Sequence, residues 1–124
     1  MMRRCVYAVV GILLMGRVTY AQTAIPTSQL AWDQPAPTAE EAQGYTYRYY
    51  ADGGLAGEIL AGVTCSIPTG TIVVVCMAPF PAFTPGTHTL TLTASNLAGE
   101  SAQSTPLTFT FVVTPGIPER VRIQ

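Results

Sequence analysis

The chain has 124 residues, of which 48% are hydrophobic and only 10% charged, with no lysine and a formal net charge of −1. That length suits one domain around one core, and the apolar content is the opposite of a disordered chain's composition. With no basic surplus to track a phosphate backbone, nucleic acid is not an expected partner.

The chain starts with Arg3 and Arg4, then an apolar run from Val6 to Met15, then Thr19-Tyr20-Ala21. A positive start, a short apolar stretch and a small residue make up an export signal, and the run is shorter than the roughly 20 residues of a membrane span. The expected division is a signal peptide over 1–21, a domain over 22–115 and a connector tail over 116–124. An uncleaved signal would be the only route to the membrane. Cleavage leaves three arginines against seven acids, a net charge of −4. It also removes Cys5, so that Cys65 and Cys76 become an even pair in an oxidising compartment. The expected localisation is secreted, periplasmic or cell surface.

After a short lead, Leu30-Ala31-Trp32 reads as a brief strand, and Asp33 to Gly44 as a loop with Pro35, Pro37, Glu40 and Glu41. Tyr45 to Tyr50 alternates as the next strand, with Tyr45, Tyr47 and Tyr49 on one face and Arg48 and Tyr50 on the other. Asp52-Gly53-Gly54 turns the chain back into a weaker strand, Leu55 to Leu60. A hairpin follows. With Gly70-Thr71 as its turn, Thr69 faces Ile72, Ile67 faces Val74, and Cys65 faces Cys76. The same register puts Val63, Cys65, Ile67, Ile72, Val74 and Cys76 on one face. Directly opposed Cβ atoms lie about 4.5–5.5 Å apart, so a Cys65–Cys76 disulfide across the hairpin is expected. Val73, Val75 and Met77 then face away from the core as an apolar stripe, which can mark a protein contact.

Pro79, Pro81 and Pro85 forbid an interior strand and predict a stiff connection over one end of the fold. Beyond it, His88, Leu90, Leu92 and Ala94 alternate with Thr87, Thr89, Thr91 and Thr93, giving a strand with a buried and a wet face. A turn through Gly99 leads to a last strand, Pro106 to Thr114. Seven strands, closely spaced turn signals and no helix predict an all-β, two-sheet antiparallel sandwich.

Trp32, the Tyr45-x-Tyr47-x-Tyr49 strand and Pro85-Gly86-x-His88-x-Leu90-x-Leu92-x-Ala94-x-Asn96-x-x-Gly99-x-Ser101 together resemble a fibronectin type III or bacterial immunoglobulin-like domain. The resemblance covers about residues 28–114 and implies an immunoglobulin-like sandwich whose last motif is strand F. It departs from the family at two points. His88 stands where the family has a tyrosine, so the tyrosine corner is absent or replaced by a His–backbone hydrogen bond. Strand A is truncated to something near Ala24-Ile25, or missing, which leaves the Trp32 strand with an open edge. The strand-like tail from Ile117 to Ile123 cannot complete its own domain in family geometry. It is expected to be a free connector or a strand donated to a neighbour.

No catalytic, cofactor or metal site is expected. His88, the only histidine, lies in phase with the buried face and is assigned a hydrogen-bonded core position. The soft ligands are already paired, and Asp33, Glu40, Glu41, Asp52, Glu58 and Glu100 lack the spacing of a calcium loop or a carboxylate pair. Candidate binding positions are Tyr50 and Arg48, which could stack on a sugar, and the Val73, Val75 and Met77 stripe. The resemblance implies a non-catalytic module for adhesion, spacing or binding, whose partner is a protein or a surface polysaccharide. A structural subunit of a surface or particle assembly, joined through the open edge, and a small carbohydrate-binding module are the alternatives. The expected state is a monomer or an edge-strand oligomer.

Overall fold

The computed structural model describes residues 22–124. The expected signal peptide over 1–21, with Cys5, lies outside the described residues. In chain order the elements are β1 (Gln22–Ala24), β2 (Gln29–Asp33), helix α1 (Ala39–Gln43), β3 (Thr46–Ala51), β4 (Glu58–Ile59), β5 (Thr64–Ser66), β6 (Val75–Pro79), β7 (Gly86–Asn96), β8 (Gly99–Glu100) and β9 (Leu107–Phe111). One sheet has the order β1-β9-β7-β3-β4, with β8 paired to β7, and the other has the order β2-β6-β5. The two pack as an all-β sandwich. Every pairing is antiparallel except β1 with β9, which is parallel.

Period-two alternation decides the two faces. Tyr47, Leu90, Phe109 and Phe111 point inward from the larger sheet to meet Leu30, Val74, Cys76 and Ala78 from the smaller one, and all are buried. Trp32 packs edge-on to Tyr47, with ring centroids 5.1 Å apart. Cys65 and Cys76 are directly opposed between β5 and β6 and are disulfide-bonded, with Cα atoms 4.0 Å apart. The predicted register therefore holds at the cysteines. Nearer the tip it lapses: Thr71 N–H donates to Pro68 O at 3.1 Å, so Thr69-Gly70 forms the turn, and Ile72 is 94% exposed. Gly70 takes φ +83°, which a glycine accepts without steric cost.

Four expectations change. Asp33 to Gly44 is not all loop: Thr38 Oγ1 accepts the Glu41 N–H at 3.0 Å, capping α1, and Ala42 is fully buried beneath it. Thr38-x-x-Glu41 is a helix-start signature, with acids in the first turn where the helix dipole favours them. The proline-rich connection is more than a spacer. Pro79 ends β6, Phe80 is buried, and Phe80 and Phe83 each sit edge-on to Phe109 with centroids 4.9 Å apart. Prolines fix the backbone there while the phenylalanines close that end of the core. The return strand after the Asp52 turn shrinks to Glu58–Ile59, with Leu55 97% exposed. Finally, the truncated first strand exists as β1, but it joins β9 rather than β2.

Candidate functional site

The placement of β1 leaves β2 with one neighbouring strand among the described residues. The pairing of β2 with β6 runs from Gln29↔Pro79 to Asp33↔Val75, and the flanking bonds Phe80 N–H to Ser28 O (2.9 Å) and Gln34 N–H to Val74 O (2.8 Å) fix its phase. Hydrogen-bonded pairs alternate along an antiparallel ladder. Leu30 and Trp32 thus bond toward β6, and the N–H and C=O groups of Gln29, Ala31 and Asp33 point away from it. All three residues are exposed. Beside this edge the sandwich is open. A cleft of about 350 Å³ lies against Gln29, Leu30 and Ala31, walled by β1, Phe80, Leu107 and Phe109. A second, of about 440 Å³, lies against Trp32 to Pro35, walled by Leu92, Ala94 and the segment 101–104. The Trp32 indole N–H is buried without a hydrogen-bond partner among the described residues.

The opposite edge of the same sheet is closed. Gln43, the last residue of α1, accepts the Cys65 N–H on Oε1 at 2.6 Å and donates from Nε2 to Val63 O at 2.5 Å. Its side-chain amide therefore does for β5 what a neighbouring strand would do. Tyr47 anchors the helix by donating its hydroxyl to Ala42 O at 2.7 Å, and burial pushes this phenol up to about 12.

His88 occupies the inward-facing, largely buried position expected of it. Its Nδ1 lies 2.8 Å from Asp52 Oδ2 and its Nε2 lies 2.8 Å from Thr84 O. The ring packs on Phe83 with centroids 5.0 Å apart. The anticipated His–backbone bond is thus present. The Asp52 carboxylate, which also accepts the Thr89 N–H at 2.9 Å, raises the imidazole pKa, and the imidazole in turn lowers that of Asp52. Both ring nitrogens face acceptors, so the arrangement favours the imidazolium and suits a clamp between the Asp52 turn and β7.

The other positions fall on separate surfaces. Arg48 and Tyr50 lie on the outer face of the larger sheet, whereas Val75 and Met77 lie on β6 of the smaller sheet and Val73 just before it, so no single patch unites them. Val73 and Met77 are 43% and 40% exposed, and Val75 is half-buried. Arg48 donates to Ser95 Oγ at 3.2 Å. Tyr50 is less free than an open stacking platform. Its hydroxyl donates to Glu100 Oε2 at 2.6 Å, and its ring lies so close over Gly57 that a Cβ there would come within 2.6 Å of Tyr50 Cζ. Glu100 also accepts from Thr93 Oγ1, which buries a threonine on the face expected to be wet. The acids assigned to solvated loops form a pattern: Glu41 accepts from Tyr45, Glu58 from Tyr49 and Glu100 from Tyr50. Hydrogen bonding to Glu41 raises the Tyr45 pKa and hydrogen bonding to Glu100 raises that of Tyr50, while burial leads for Tyr49.

Among the described residues, no three His, Cys, Asp or Glu side chains come together to hold a metal ion, and no helix is long and apolar enough to cross a membrane. The sequence matches no protein-family model and no curated protein.

Proposed function

We propose that the chain is an exported, non-enzymatic immunoglobulin-like module of the fibronectin type III-like kind that binds a protein segment by strand addition at the β2 edge. The observation that carries this is the row of outward backbone groups at Gln29, Ala31 and Asp33 above two clefts, on a sheet whose other edge is capped. An edge of this sort supplies affinity through main-chain hydrogen bonds, and pockets beneath it supply selectivity. The sheet composition supports the family resemblance: β2, β5 and β6 face β3, β7 and β9 as strands B, D and E face C, F and G in an immunoglobulin sandwich. The disulfide supports an oxidising compartment.

Ala31→Pro tests the site, because it removes an edge N–H that β6 does not use. Extended peptides selected from a random display library on the immobilised chain should lose binding to this variant. A library that yields no Ala31-sensitive peptide would count against edge recognition. Export is tested by N-terminal sequencing of the protein recovered outside the cytoplasm, with Gln22 as the expected first residue.

A further inference from the structure

We infer that the partner strand is the segment Arg120–Gln124 of a second copy of this chain, added antiparallel to β2. This rests on the edge-binding role proposed above and names its occupant.

The segment has the required pattern. It lies exposed outside either sheet, with Val121 87% and Ile123 100% exposed. Extended, it would put Val121 and Ile123 on one side and Arg120 and Arg122 on the other. One antiparallel register satisfies both chains. Ile123 opposite Leu30 and Val121 opposite Trp32 send both apolar side chains toward the clefts. Gln124, Arg122 and Arg120 then stand opposite Gln29, Ala31 and Asp33, where every backbone N–H is free to donate and Arg120 meets the Asp33 carboxylate. The next laddered position would pair Pro118 with Pro35, and neither can donate, so pairing ends there. Between them Glu119 lies diagonal to Trp32, placing an acceptor beside the indole N–H that has no partner among the described residues. Sliding the segment two residues toward Gln29 fails, because it puts Glu119 opposite Trp32 and Pro118 opposite Asp33.

The segment gains from the exchange. Arg120 now holds φ 53°, a region disfavoured for residues with a side chain, and an extended strand relieves it. A second copy suits the register better than the chain's own tail. Ala24 pairs with Phe111, and the turn from Ile25 to Ser28 sends β2 back from that pole. A tail leaving Phe111 therefore meets β2 in parallel, whereas the register requires it to arrive from beyond Asp33. Each copy would offer one edge and one segment at different places, a head-to-tail contact that builds open chains rather than closed dimers.

Sedimentation velocity of the purified chain over a range of concentrations tests the proposal. The expected result is a series of oligomers that grow with concentration. Asp33→Arg and Arg120→Asp should each weaken association by about tenfold or more, and the double variant should recover it. Ala31→Pro should abolish it. A monomer at every concentration overturns the inference, whether the Val121–Gln124 amides exchange freely or are protected by insertion into their own β2. Should the chain stay monomeric while displayed peptides still bind in an Ala31-dependent manner, the second copy is excluded and edge recognition survives. Loss of both results removes edge recognition as well.

Discussion

The two edges of the three-stranded sheet are finished differently. At β5 a five-residue helix brings one glutamine amide against the backbone, satisfying Cys65 N–H and Val63 O. At β2 the outward groups of Gln29, Ala31 and Asp33 have no strand beside them among the described residues, because the first strand has gone to β9. An unpaired edge is an invitation to other strands, and natural sheets commonly blunt it with charge, proline or a cover. Here one edge is covered by a side chain, and the other keeps its backbone available over two clefts, one of mixed lining beside Gln29 and a more apolar one beside Trp32. The difference is what favours β2 over β5 as the binding edge in the proposed function.

The largest expected effect comes from cutting the staple behind the closed edge. Replacing both Cys65 and Cys76 with alanine should cost about 2–3 kcal/mol by the loop-closure argument, read as a fall in denaturation midpoint. Gln43→Ala should cost about 1–2 kcal/mol, the net worth of two hydrogen bonds at the sheet edge, and should speed exchange of the Cys65 amide. If that variant also self-associates, β5 has become a second open edge. Tyr47→Phe removes the shorter of two hydrogen bonds to Ala42 O, leaving the one from Tyr45 N–H at 3.2 Å, and should cost about 1 kcal/mol while loosening α1. An unchanged midpoint would mean that the helix is not held through this hydroxyl.

The His88–Asp52 clamp joins the Asp52 turn to β7 in the larger sheet, makes no hydrogen bond to either edge, and serves as a control. His88 has a raised pKa, so its contribution is full below the ordinary value of 6.5 and is lost as pH rises through the raised one. Asp52 has a lowered pKa, so its contribution is full above the ordinary 3.8 and is lost as pH falls through the lowered one. The melting-temperature gap between the unaltered chain and Asp52→Asn should therefore be widest between those values and narrow on either side. A flat gap would remove the charge from the clamp. The smallest effect is expected from Ala31→Pro, whose midpoint should stay within about 0.5 kcal/mol of the unaltered chain, since its N–H lies outside the ladder with β6.

Alternation carried most of the architecture into view. Tyr45, Tyr47 and Tyr49, and His88, Leu90, Leu92 and Ala94, share the core-facing phase that period two gives them, and opposing Cys65 to Cys76 needed only the hairpin count. Pairing across long sequence distance was less accessible: three residues at Gln22–Ala24 carry no mark that they join β9 rather than β2. Short α1 was hidden among prolines, although Thr38 and Glu41 were its signal. Phe80 and Phe83 were masked by the prolines around them, whose backbone meaning is stronger than the packing meaning of the rings between them. The edge-capping role of Gln43 had no signal, because an amide that imitates a strand depends on where the helix is docked. At the proposed binding edge, the open strand followed from the short first strand, while the two clefts beneath it required the sheets to be placed.

The parallel join of β1 to β9 also has a mechanical meaning. Tension applied at Gln22 and at Val112 pulls the two strands along their length in opposite directions. The pairs Gln22↔Phe109, Thr23↔Thr110 and Ala24↔Phe111, with the 2.9 Å bond from Val112 N–H to Ala24 O, are then loaded together in shear.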